Sequence, residues 1–286
     1  MKRRLLLSPV AILVATIAVL AALAGAADSP DGAPGSSSPS GTISARPAGI
    51  LVPARDPLRV LPGGTITPRH RALARPSAGP DRAPSAGCRA GNVALTFDDG
   101  PSTSVTAALT RELLKLHVPA TFFMVGSRID AAPEVARLVA RRGFTIGNHT
   151  YAHRDLTTQT DDDIRAGLIA TSRALRRAGV REHSAFVRPP YGATDARVAR
   201  VLRGMGLTSV LWDVDSRDWA GRSTTMIARS VIAQVRARGR AGSVVLQHDG
   251  VTNSPATLAA VPHEVHALRR LGFCFVGLDA AGEPAS

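Results

Sequence analysis

The sequence predicts an α/β domain built on parallel strands across residues 91 to 280. Three observations predict it: short β-rich runs alternate with amphipathic helical stretches, the runs number seven, and residues able to do chemistry gather just past their C-terminal ends. The expected strands cover 92–98, 120–125, 144–148, 184–188, 207–214, 243–248 and 272–278. Helices are expected between them near 104–116, 132–142, 161–178, 195–205, 224–238 and 257–271. Such alternation gives a barrel or a doubly wound sheet, and in both the chemistry sits at the C-terminal strand ends.

The remainder of the chain reads differently. Lys2, Arg3 and Arg4 precede an apolar stretch from Leu5 to Leu23, and Ala24-Gly25-Ala26-Ala27 offers small-residue cleavage positions, so residues 1–27 read as an export signal. The apolar stretch nearly matches the roughly 20 residues that span a bilayer, so membrane attachment through residues 5–24 is the alternative. Residues 28–87, crowded with Pro, Gly, Ser and Arg and lacking aromatics, read as a disordered linker. A folded domain is left for 88–286, and 286 residues at 44% apolar content are too few for two large cores.

The net charge of +13 comes almost wholly from arginine, because Lys2 and Lys115 are the only lysines. On an exported protein that charge is a match for cell-wall polyanions or membrane surfaces, and no nucleic-acid partner is expected. Two cysteines, Cys88 before the first strand and Cys274 in the last, would meet an oxidising compartment. They either pair, if first and last strands are neighbours, or stand as one buried and one free thiol.

Five strand ends carry polar side chains. The first strand runs into Asp98-Asp99-Gly100-Pro101; strand alternation would aim one acid at a metal and the other at a water. Alone, the pair would pass for a turn and helix cap. Past the third strand, Gly147-Asn148-His149-Thr150-Tyr151-Ala152-His153 places histidines four apart, which on a helical turn would face one side. Two neutral imidazoles and one carboxylate form a three-ligand set that suits Zn²⁺ and leaves a position open. Arg188-Pro189-Pro190-Tyr191, Asp213 to Trp219, and Leu246-Gln247-His248-Asp249 complete the series. Each could be innocent separately; their shared position at strand ends argues otherwise.

In this order, TFDDGP, HTYAH, RPPY, DSRDW and LQHD resemble the five motifs of the polysaccharide deacetylases, carbohydrate esterase family four, also called the NodB-homology domain. The resemblance spans nearly all of 91–280 and implies a distorted (β/α)7 barrel, with 88–286 as its catalytic domain. It implies Asp99, His149 and His153 as metal ligands, Asp98 as catalytic base and Arg188 as the residue orienting that base. His248 matches the general acid and Asp218 the carboxylate tuning it. Tyr191 matches the residue whose backbone N–H stabilises the oxyanion, and Trp219 and Leu246 match the walls around the acetyl methyl. A divalent cation is implied, Zn²⁺ by ligand type, with Co²⁺ or Ni²⁺ able to occupy the same site.

The expected activity is hydrolysis of N-acetyl groups on a polysaccharide of the cell wall or environment, with peptidoglycan first and chitin oligomers second. Acetyl-xylan esterase activity is the nearest alternative. Two rivals differ in kind: a wall-glycan binding protein without turnover, which loss of Asp98 or His248 would have favoured, and a small-molecule amidase, which the export signal disfavours. The protein is expected to be a monomer, secreted or held at the outer face of the membrane or wall.

Overall fold

In the computed structural model, which describes residues 88–286, the first strand β1 (Gly91–Gly100) is buried along nearly its whole length. A strand covered on both faces belongs at the centre of a parallel sheet. On one side it pairs with β2 (Ala120–Met124), followed by β3 (Thr145–Asn148), β4 (Phe186–Val187) and β5 (Thr208–Ser209). On the other lie β7 (Ser243–His248) and then β6 (Val214–Asp215), while β8 (Phe273–Phe275) pairs with the start of β1. All these pairings are parallel. The expectations for residues 1–27 and 28–87 fall outside the described residues.

Among the described residues, seven α-helices lie between the strands: α1 (Thr106–Lys115), α2 (Gly126–Ala131), α3 (Pro133–Arg141), α4 (Asp161–Arg177), α5 (Ala196–Gly204), α6 (Thr224–Arg238) and α7 (Ser254–Arg270). Local chemistry explains where they start. Thr160, Asp195 and Ser223 cap α4, α5 and α6 by accepting from backbone N–H groups, and Pro133 opens α3, where its missing N–H costs nothing. Asp161, Asp162 and Asp163 stand at the start of α4 and Arg176 and Arg177 at its end, matching the helix dipole. The largest core cluster joins Val93, Leu95 and Phe97 of β1 to Leu109 and Leu113 of α1, Phe122 of β2, Val245 of β7 and Val261 and Val265 of α7. Truncating one of these fully buried leucines to alanine would cost about 2–5 kcal/mol.

Two expectations are corrected here. Residues 207–214 do not form one strand: β5 pairs with β4 at one edge of the sheet and β6 with β7 at the other. The intervening segment spans the gap, so the architecture is an α/β half-barrel rather than a barrel closed by a continuous ladder. The cause is Arg188, whose Nε donates to the Val210 carbonyl and whose Nη2 donates to that of Leu211, both at 3.1 Å, removing acceptors that a ladder would need. The second correction is α2, which no sequence pattern announced and which sits tightly against the strand ends.

Cys88 and Cys274 are joined in a disulfide with a Cα–Cα distance of 5.4 Å. Asn92 is the ladder partner of Cys274, so β8 brings the thiol to the start of β1. Closing a loop with a sequence separation of 186 removes unfolded-state entropy worth about 5 kcal/mol. Among the described residues, no helix is long and apolar enough to cross a membrane.

Candidate active site

The residues singled out in the sequence converge on one cavity of about 470 Å³ at the C-terminal strand ends. Asp98, Asp99, His149, His153, Tyr191, Trp219, Leu246 and His248 all line it, joined by Asp215, the first residue of DSRDW, to which no role was given, and by Trp212 and Val251, which lie outside the motifs. Arg188 and Asp218 lie behind this lining, both fully buried.

Both acids face the cavity, which strand alternation alone would forbid. The β1–β2 register shifts between Asp98 and Gly100, so Asp99 is a bulge residue, and its φ of 71° turns the carboxylate back toward the cavity. The helical turn expected for the two histidines is likewise replaced, here by an irregular loop. Thr150 and His153 both take positive φ, and the Thr150 hydroxyl accepts from the His153 N–H at 3.1 Å, which brings the two rings to 4.9 Å between centroids. Among the described residues, five of the six non-glycine residues with positive φ, namely Asp99, Thr150, His153, Tyr191 and Arg217, belong to the strand ends and loops of this site. Strain concentrated in this way marks geometry that the surrounding fold enforces.

Ligating atoms of Asp99, His149 and His153 all lie within 4.8 Å of one another. Asp99 Oδ1 stands 3.4 Å from His149 Nε2 and 3.1 Å from His153 Nε2, yet it is a buried oxygen without a hydrogen bond. His149 Nδ1 donates to the Arg188 carbonyl at 2.7 Å, which leaves the Nε2 lone pair directed at Asp99. Burial alone would raise the Asp99 pKa, but the adjacent imidazoles of His149 and His153 outweigh it and hold the carboxyl well below the usual range. One orphaned carboxylate oxygen facing two imidazole nitrogens fits a divalent cation.

Asp98 occupies the next position. Its Oδ1 accepts from Arg188 Nη1 at 2.8 Å, and its Oδ2 is 3.8 Å from His149 Nε2. Arg188 is fixed in turn by Thr96 Oγ1 at 2.7 Å and by the Phe123 ring, whose centroid lies 4.2 Å from its Cζ.

Across the cavity, His248 is the ladder partner of Asp98 on the neighbouring strand. Its Nδ1 lies 2.7 Å from Asp218 Oδ1, while Asp218 Oδ2 accepts from the His248 N–H at 2.8 Å and from Thr257 Oγ1 at 2.7 Å. Burial would lower the His248 pKa, but the Asp218 hydrogen bond and charge, helped by the charges of Asp98 and Asp99, push it up to about 9. Tyr191 takes φ 62° and stacks edge-on against His153, and Trp219 is half exposed at the rim under the Arg217 guanidinium.

Sequence reading missed several buried polar groups. Asp249 accepts from the Thr106 hydroxyl beneath Gly100, and burial, with the charges of Asp99 and Asp98, pushes its pKa up to about 7. Glu264, on the inner face of α7, is bonded to Gln247 at 3.1 Å and is pushed up by burial to about 8. Asp249 directly follows the histidine of LQHD and could have been weighed; Thr106, Thr257 and Glu264 sit in helices, where a polar residue reads as solvent-facing.

Parallel strands ending in an Asp/His/His group that could hold a cation, with an Arg-held acid and an Asp-held histidine on adjacent strands, bring together the parts of a hydrolytic centre. The family model described as polysaccharide deacetylase matches residues 87–210. A chitooligosaccharide deacetylase of Bradyrhizobium sp. is 34% identical over 193 residues, covering 64% of this chain and 86% of that protein. A peptidoglycan-N-acetylglucosamine deacetylase of Bacillus cereus is 37% identical over 157 residues, 54% of this chain and 55% of the relative. The family 4 carbohydrate esterase of Streptomyces lividans, solved with acetate, superposes with a TM-score of 0.61 at 34% identity, covering 68% of this chain and 97% of that one. The chain belongs to the polysaccharide deacetylase family, and so to the hydrolases acting on carbon–nitrogen bonds.

Proposed function

We propose that this chain is an exported, zinc-dependent enzyme that removes N-acetyl groups from N-acetylglucosamine in peptidoglycan. The observation that carries the reading is the Asp99, His149 and His153 cluster in one cavity with Asp98, held by Arg188, and His248, held by Asp218.

A divalent cation bound by Asp99, His149 and His153 supplies Lewis acidity toward the acetamide carbonyl and acidifies water. With Oδ1 committed to Arg188, Asp98 offers Oδ2 to take the proton of the attacking water. The backbone N–H of Tyr191, turned by its left-handed φ, is suited to receive the oxyanion. His248, bonded through Nδ1 to Asp218, carries its other proton on Nε2 toward the cavity and gives it to the sugar nitrogen as the C–N bond breaks. A pKa near 9 keeps that proton in place at neutral pH. Acetate and a free amine leave, and Trp219 and Leu246 provide apolar surface for the acetyl methyl.

Peptidoglycan is favoured by the net charge of +13, which draws the protein to anionic wall polymers, and by the disulfide, which fits the oxidising exterior that the Lys2 to Leu23 export signal predicts. A second reading, a chitin-oligomer deacetylase, is favoured by the Bradyrhizobium relative, matched over more of its length than the Bacillus one. Acetate release measured side by side on the two substrates decides: the higher kcat/KM on chitin oligomers would overturn the peptidoglycan assignment.

A further inference from the structure

Three of the loops that carry the site follow β1, β3 and β7, and one short segment binds these three. The Val125 N–H donates to the Gly100 carbonyl at 2.8 Å, that of Gly126 to Thr150 at 2.9 Å, and that of Ser127 to Tyr151 at 3.0 Å, so the start of α2 fixes the first two loops through backbone bonds. The third loop is reached by a side chain: Arg128 Nη1 donates both to the carbonyl of Asp99 and, at 2.7 Å, to the carbonyl of Gly250. We propose that Arg128 is a positioning residue of the metal centre, clamping the Asp99 backbone to the loop that follows His248.

Asp99 needs such a clamp. Its φ of 71° is costly for a residue with a side chain, and the peptide after it can relax toward ordinary β geometry, which would swing the carboxylate out of the ligand cluster. A guanidinium bonded to the Asp99 carbonyl holds that peptide plane, and with it the direction of Cβ, whether or not a cation is bound. The packing around the clamp leaves no slack. A Cβ on Gly250 would overlap the Asp99 carbonyl and the Arg128 guanidinium, and one on Gly100 would lie 2.5 Å from the Asp249 carboxylate. The Asp249 N–H donates to the Asp98 carbonyl at 3.1 Å, so the β1 and β7 loops already touch, and Arg128 fastens the outer end of that contact. Arg128 is not among the residues that line the cavity, lies outside all five sequence motifs and bonds to the two carbonyls.

The inference rests on Asp99 being a metal ligand, and the test separates the two claims. Zinc affinity is measured by competition with a chromogenic chelator on the full-length wild type, Arg128→Ala and Arg128→Lys, below the melting temperature of each. Thermal unfolding of the chelated proteins is followed in parallel, and kcat and KM are taken at saturating zinc. The clamp predicts zinc affinity about tenfold or more weaker in Arg128→Ala, the size of effect seen when groups behind metal ligands are removed. It also predicts a lower kcat with little change in KM, and partial recovery in Arg128→Lys, whose ammonium can still donate to both carbonyls. Should Arg128→Ala fail to fold, Arg128→Lys must still show zinc weakened relative to wild type while its chelated form melts near wild type. Wild-type affinity in both variants overturns the clamp alone; a folded wild type that does not bind zinc overturns the ligand assignment and the clamp with it.

Discussion

The two sides of the cavity are built on opposite principles. The Asp99, His149 and His153 side leaves a buried carboxylate oxygen without a hydrogen bond and holds its loops in left-handed backbone at Asp99, Thr150 and His153. The His248 side has Asp218 engaged by the ring and N–H of His248, by Thr257 and by the Trp219 N–H. The first side is incomplete in its hydrogen bonding, as the ligands of a cation would be. The second is complete as it stands and stores a proton. The contrast teaches that one side depends on what binds, the other on what is already bonded, and perturbations should sort accordingly.

The largest effect is expected on the incomplete side. His149→Ala removes a ligand, and acetate release should fall to background together with zinc binding, both read on the same preparation; retained activity would break the contrast at once. Asp98→Asn should separate the two properties, keeping zinc while lowering kcat by about 10²–10⁴-fold, the usual worth of a positioned base. Loss of zinc binding in that variant would place Asp98 among the ligands instead.

On the complete side the expected changes are smaller and show in pH. Asp218→Asn withdraws the main influence raising His248, so the basic limb of the kcat profile should move to lower pH by about one unit or more. A limb that stays put would mean that Asp218 only packs. A cation at Asp99 opposes the charges of Asp98 and Asp99 on His248, so the variant is compared with wild type at one metal loading.

Much of this arrangement was legible in the sequence, because strand ends and motif residues are contiguous. His149 and His153, or Asp98 and Asp99, are read together wherever the chain goes afterwards. What was not legible depends on contacts between distant segments. The bulge at Asp99 follows from its register against β2, and the broken 207–214 strand from a guanidinium 22 residues upstream of Val210. α2 was missed because six residues are too few to show a helical period. Thr257 and Glu264 were missed because a polar residue on a helix face says nothing about which way that face turns.

The smallest effect concerns Glu264, behind the acid side. Its folded-state pKa of about 8 lies above the ordinary 4.5, so its contribution to stability is fully present below 4.5 and is lost as pH rises toward 8. Glu264→Gln should therefore melt higher than wild type at pH 9 and show little difference at pH 4, followed by thermal unfolding of the chelated protein. An equal shift at both values would indicate repacking rather than titration.

Acetate release by the purified protein from peptidoglycan and from chitin oligomers, before chelation, after it and after zinc is restored, bears most directly on the incomplete site. Release that stops with the chelator and returns with zinc is the expected result. Release that continues unchanged in the chelated protein, or none from either substrate by a folded, zinc-loaded one, would contradict metal-dependent deacetylation at this centre; in the second case acetylated xylan is the next substrate.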